Sequence, residues 1–139
     1  MAKDIYHEVV KNAIIKEGWI VTHDPFSLSN KPLNIDYEID LGAERLINAQ
    51  KGTEKIAIEV KSFLRASLVH EFHAAFGQYL IYLESLKVIE PDRKLFLAIP
   101  NYTHSRLNEQ PFLLNVISIY KLNILVYNID NQLIESWIE

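Results

Sequence analysis

The sequence predicts an α/β chain in which a mixed β-sheet is flanked by helices on both faces. Three observations predict it. Leu95-Phe96-Leu97-Ala98-Ile99 is an unbroken apolar run of strand length, as expected for a strand buried on both sides. Ile35, Tyr37, Ile39 and Leu41 alternate with Asp36, Glu38 and Asp40, which fits a half-buried strand with an acidic face. Between these two segments lies a long amphipathic stretch whose apolar stripe has helical spacing.

The elements follow in order. Asp4 to Glu17 reads as a helix with Ile5, Val9, Ala13 and Ile14 on one stripe and Gly18 as its C-cap. Trp19 to Thr22 is a short strand. His23 to Asn34 holds Pro25, Ser27, Ser29, Asn30 and Pro32 and reads as a loop. Ile35 to Leu41 is a strand, and Leu46 to Gln50 extends or pairs with it. Lys51-Gly52-Thr53-Glu54 is a turn, and Lys55 to Ser62 is the central strand.

Ser67 caps a helix running to about Leu86, with Leu68, Phe72, Phe76, Tyr79, Leu83 and Leu86 as its stripe. Lys94 to Pro100 is the internal strand. Pro111 opens a last helix, to about Lys121. Asn123 to Asn128 and Leu133 to Ile138 form a strand pair around Asp130-Asn131.

With 139 residues, 49% of them apolar, the chain is expected to be one domain spanning 1–139. It has no cysteine, which excludes disulfides and thiolate metal sites. Met1 to Asp4 opens a helical pattern, not a signal peptide, and no apolar run approaches the ~20 residues of a membrane span. A cytoplasmic protein is expected. The net charge of −4, from 18 acidic and 14 basic residues, argues against avid nonspecific DNA binding. A local basic strip stays compatible with it, and the candidates near the centre of the chain are Arg45, Lys51, Lys55 and Arg65.

The chemistry concentrates on Asp40 and, after 18 intervening residues, Glu59-Val60-Lys61. On a strand, Glu59 and Lys61 share one face while Val60 points to the other. A neighbouring carboxylate would complete a pair able to hold Mg²⁺ or Mn²⁺. Lysine would then orient water and offset charge on a phosphate. This is the pattern of metal-dependent phosphodiester cleavage. The same Glu-x-Lys also fits an exposed cross-strand ion pair. Asp36, on the same strand face, competes with Asp40 but lies roughly 13 Å along the strand.

Gln78 and Tyr82, at i and i+4 on the long helix, would bond a phosphate or a catalytic side chain. Glu8 on the first helix is a further candidate acid, with an exposed Glu8–Lys11 pair as the alternative. His70 and His73 have helical metal spacing without a third ligand near them in sequence. Nothing in the chain fits a glycine-rich phosphate loop or a hydrolase triad.

Asp40, Glu59 and Lys61 resemble the core of the PD-(D/E)XK, or restriction-endonuclease-like, superfamily, with Ile39 where its name-giving proline would stand. That resemblance implies a restriction-endonuclease-like sheet, metal ligation by Asp40, Glu59 and the Val60 carbonyl, and a catalytic Lys61. Gln78 and Tyr82 resemble the Gln-x-x-x-Tyr element of its RecB-like branch, and Glu8 the first-helix acid of archaeal Holliday-junction resolvases. Over nearly the whole chain, Ala2-Lys3-Asp4 and the runs Tyr37 to Glu44, Ile56 to Phe63 and Ala75 to Leu83 are similar to XisH, the cyanobacterial family named as an fdxN element excision controlling factor. This implies an accessory role in DNA rearrangement, beside a XisI partner and a separate recombinase. Duplex or branched DNA is the expected substrate. A homodimer, paired through the 123–138 strands, suits the two antiparallel backbones of a duplex.

Overall fold

Burial of alternating and helical stripes against one sheet organises the chain. The computed structural model describes residues 2–50, 52–64 and 67–139, without the side chains of residues 2–4 and 48. The elements are α1 (Ala2–Lys16), β1 (Ile20–His23), β2 (Phe26–Asn30), β3 (Ile35–Ile39), β4 (Leu41–Asn48), β5 (Gly52–Val60), α2 (Leu68–Ile89), β6 (Arg93–Pro100), α3 (Asn101–Leu107), α4 (Pro111–Ile119), β7 (Ile124–Asn128) and β8 (Leu133–Ile138). Six strands form one mixed sheet in the order β1-β4-β5-β6-β7-β8, and β2 pairs with β3 in a separate two-stranded sheet.

The pairs β5–β6 and β6–β7 are parallel; β1–β4, β4–β5 and β7–β8 are antiparallel. Two successive parallel steps in one direction, each crossing over with the usual right hand, put their helices on the same face. There α2 and α4 bury Phe72, Ala75, Tyr79, Leu113 and Ile117 against Ala57, Leu95, Leu97, Ile124 and Val126. The β2–β3 hairpin joins that layer through Phe26, Leu28 and Ile39. The opposite face packs α1, with Val9, Val10 and Ile14, on Ile56, Ile58, Phe96, Ala98, Leu125 and Tyr127. Both faces are covered, so β6 is buried from Leu95 to Pro100, as its continuous apolar run requires.

Local signals set the ends of elements. Gly18, at φ +91, closes α1: its amide donates to the Ile15 carbonyl at 3.0 Å and the Trp19 amide donates to the Ile14 carbonyl at 3.2 Å. Ser67 caps α2, its hydroxyl accepting from the His70 amide at 3.2 Å.

Several expectations need correction. The stripe of α1 runs through Val9, Val10, Ala13 and Ile14, while Ile5 is exposed. The expected 23–34 loop contains β2, whose Phe26 and Leu28 point inward and Ser27 and Ser29 outward. Residues 52–54 belong to β5, and the turn falls at Ala49 and Gln50, with Lys51 outside the described residues. The expected 35–41 strand is two strands in two sheets, divided at Asp40. Among the described residues no helix is long and apolar enough to cross a membrane.

Candidate active site

The division at Asp40 builds the site. β3 leaves the hairpin and β4 enters the main sheet, with Leu41 paired to Ile58. Extending that antiparallel register by one residue sets Asp40 opposite Glu59. The Asp40 amide donates to Glu59 Oε1 at 3.3 Å, and the Val60 amide donates to Asp40 Oδ2 at 2.8 Å. Two carboxylates therefore meet where β5 leaves the sheet. The Lys61 ammonium lies 3.3 Å from Glu59 Oε2, and the Lys61 amide donates to the Ala98 carbonyl at 2.9 Å.

Burial gives Glu59 unusual electrostatics. Only 8% of the residue is exposed. Desolvation first, then the charge of Asp40, pushes its carboxyl up to about 7; Lys61 pulls the other way. A carboxylate held against its own desolvation and a like charge is relieved by whatever reduces that charge, a proton in the first place.

From α2, Gln78 Nε2 donates to the Tyr82 hydroxyl at 2.9 Å, and Tyr82 packs on Tyr37 with ring centroids 5.6 Å apart. Burial, and after it the charge of Glu59, raises the Tyr82 phenol above its ordinary range. Gln78 Oε1 is buried without a hydrogen-bond partner among the described residues. It is a free acceptor at the wall of a cleft of about 360 Å³.

That cleft is lined by Asp40, Glu59, Val60, Lys61, Gln78 and Tyr82 together with Tyr6, Pro25, Glu38, Ile39 and Ser62. Glu8 is exposed on α1 outside this lining, and Lys11 reaches Asp24 at 2.8 Å. Asp36 is exposed on β3 and does not line the cleft. Arg45 lies over the Trp19 ring at 4.5 Å and 3.5 Å from Glu54, and Lys55 is 3.8 Å from Glu90; neither lines the cleft. Lys51 and Arg65 fall outside the described residues. His70 borders a neighbouring pocket with Lys61 and Ser62, and His73 does not.

Among the described residues no cluster of three or more His, Cys, Asp or Glu side chains is arranged to hold a metal. The donors on offer are the two carboxylates of Asp40 and Glu59, supplemented by backbone oxygen. That set suits a hard cation that keeps several waters, and it is poor for zinc.

Across residues 1–135 the chain matches the family model described as XisH protein. The chain belongs to the XisH family. A crystal structure of a XisH family protein from Nostoc punctiforme PCC 73102 is 37% identical, with a TM-score of 0.86, over 97% of this chain and 99% of that one. A crystal structure of an fdxN element excision controlling factor protein from Anabaena variabilis is 39% identical, also with a TM-score of 0.86, over 98% of this chain and 99% of that one. No curated protein matches the chain. The XisH likeness thus spans the cleft and both layers that build it.

Sequence reasoning did not single out Tyr6, Pro25, Glu38 or Ser62 as part of this cleft. Tyr6 carried a usable signal: it sits one turn before Val9 and Val10 on the buried face of α1, and a phenol there needs a polar partner.

Proposed function

We propose that this XisH family chain carries a restriction-endonuclease-like, PD-(D/E)XK-type site that cleaves duplex or branched DNA with Mg²⁺ or Mn²⁺, as an accessory factor in the excision of a DNA element. The observation that carries the reading is the meeting of Asp40 and Glu59 at the end of β5 with the Lys61 ammonium 3.3 Å from Glu59. An ordinary exposed cross-strand ion pair would not bury its glutamate to 8% exposure beside a second carboxylate. Asp40, Glu59 and the Val60 carbonyl would hold the cation, which when bound supplies Lewis acidity and a more acidic water.

The remaining work falls to this chain's own groups. Lys61, cationic and unable to ligate a metal, orients the attacking water and offsets negative charge developing on the phosphate. Tyr82, its phenol kept protonated, and the free acceptor of Gln78 give the wall of the cleft one donor and one acceptor for substrate. The Anabaena variabilis relative is described as an fdxN element excision controlling factor, which supports the biological half of the reading.

A second reading is a nuclease-fold regulator without turnover, acting through DNA and a XisI-like partner. The net charge of −4 favours it, as does the description of the Anabaena variabilis relative as a controlling factor. Nicking of supercoiled plasmid and of branched DNA in Mg²⁺ and Mn²⁺, with and without the partner, separates the two. The nuclease reading expects nicking by the wild type and a loss of about 10²–10³-fold in Lys61→Ala. No nicking by the wild type in any of these conditions selects the regulator.

A further inference from the structure

β5 ends at Val60, and the chain then leaves the sheet, so its backbone groups need other partners. Two elements distant in sequence provide them, and a third backs one of the two. The Tyr127 hydroxyl, from β7, donates to the Lys61 carbonyl at 3.2 Å. The Tyr102 hydroxyl, from α3, donates to the Ser62 carbonyl at 2.8 Å. Tyr6, from α1, lies 3.1 Å from Tyr102, hydroxyl to hydroxyl, and its ring meets that of Tyr127 edge-on at 6.5 Å. With the Lys61 amide held by Ala98, the peptide groups on both sides of Lys61 are pinned.

The direction of the chain of hydroxyls follows from proton counting. A carbonyl cannot donate, so the single phenolic proton of Tyr102 is committed to Ser62. Tyr6 must then donate to Tyr102. The Tyr6 oxygen, at the wall of the cleft, keeps only acceptor lone pairs for water or for the lysine.

We propose that Tyr102 and Tyr127 are positioning residues, a hydroxyl clamp that fixes the strand end bearing Lys61 and so sets its ammonium against Glu59, with Tyr6 completing the clamp and lending an acceptor to the cleft. The inference rests on the reading of Lys61 as the catalytic cation. Its reason is geometric: nothing in the β-ladder holds the backbone beyond the Lys61 amide, and a misplacement of about 1 Å in a reacting group costs about 10²-fold in rate. Burial pushes the phenols of Tyr102 and Tyr127 upward, which keeps both as donors throughout the working pH range.

The test replaces each tyrosine with phenylalanine, which keeps the ring and removes the hydroxyl. Carbonyl ¹³C shifts of Lys61 and Ser62 and the Lys61 side-chain ¹³Cε shift are read by NMR in the metal-free protein, followed by nicking kinetics. Tyr127→Phe is expected to move the Lys61 carbonyl signal and Tyr102→Phe that of Ser62. Both should move the Lys61 ¹³Cε signal and lower kcat by about tenfold or more with little change in KM, as loss of positioning does. Tyr6→Phe should leave the Ser62 carbonyl unmoved, because the Tyr102 proton stays where it is. Should Tyr127→Phe fail to fold, Tyr102→Phe at its half-buried site carries the test. An unmoved Lys61 side-chain signal in folded variants that have lost the carbonyl bonds would overturn the clamp. A wild type that nicks nothing would overturn the nuclease reading, while the NMR shifts still decide the clamp.

Discussion

Asp40 and Glu59 are bound through each other's backbone: the Asp40 amide donates to the Glu59 carboxylate, and the Asp40 carboxylate accepts from the amide that follows Glu59. This reciprocal pair holds two acids together that would otherwise repel. It stands at the one point where the chain crosses from the hairpin into the main sheet.

The cost of that arrangement is readable as pH dependence. The Glu59 carboxyl rises from 4.5 to about 7 through burial and the charge of Asp40. Between these values the folded chain keeps a proton that the unfolded chain has lost, so stability falls as pH rises through the window and levels off above it. Glu59→Gln should lack this decline in urea-unfolding midpoints measured from pH 4 to 8. Parallel profiles for the two proteins would refute the burial argument.

Arg93 is expected to be a structural keystone. Its guanidinium, with a side chain 1% exposed, donates to the Ala43 and Ile56 carbonyls at 3.3 and 2.8 Å and to Glu90 at 3.0 Å, and lies over the Phe26 ring at 4.6 Å. Arg93→Ala removes the donor shared by two buried carbonyls and should destabilise the fold by about 2–4 kcal/mol. Arg93→Lys, lacking the planar fork, should recover only part of this. Chemical denaturation gives both numbers, and a loss below about 1 kcal/mol for alanine, the range of a typical exposed pair, would contradict the assignment.

Two glycines should respond with opposite signs to the same change. A Cβ on Gly42 would stand 2.9 Å from Phe26 Cδ2 and 3.1 Å from His23 Cβ, so Gly42→Ala should cost about 1–3 kcal/mol by overpacking. At Gly77, inside α2, a Cβ meets nothing within 4 Å, and Gly77→Ala should stabilise the helix by up to about 1 kcal/mol. Thermal melts of the two variants check the pair; shifts of the same sign would be inconsistent with this packing.

What the sequence revealed follows the reach of its signals. The apolar run of β6, the Ser67 cap and Gly18 are local and were legible. β2 was hidden because Pro25 and Pro32 bracket it, although Phe26, Ser27, Leu28 and Ser29 alternate as a strand should. Alternation also continues unbroken through Asp40, so it cannot tell that Ile39 and Leu41 belong to different sheets. α3 is seven residues long, too short for a periodic stripe to stand out. At the site, Asp40, Glu59 and Lys61 were legible as a spacing. The Tyr6–Tyr102 contact spans 96 positions and has no local signature. Arg93 stands one residue before the strand expected from Lys94, and nothing local marks its burial.

Whether Asp40 and Glu59 form a cation site served by Lys61 is decided by calorimetric titration of Mg²⁺ into the wild type, Asp40→Asn and Lys61→Ala. The wild type should bind, Lys61→Ala should bind with similar affinity, and Asp40→Asn should show no measurable binding. Equal affinity in the wild type and Asp40→Asn would contradict such a site.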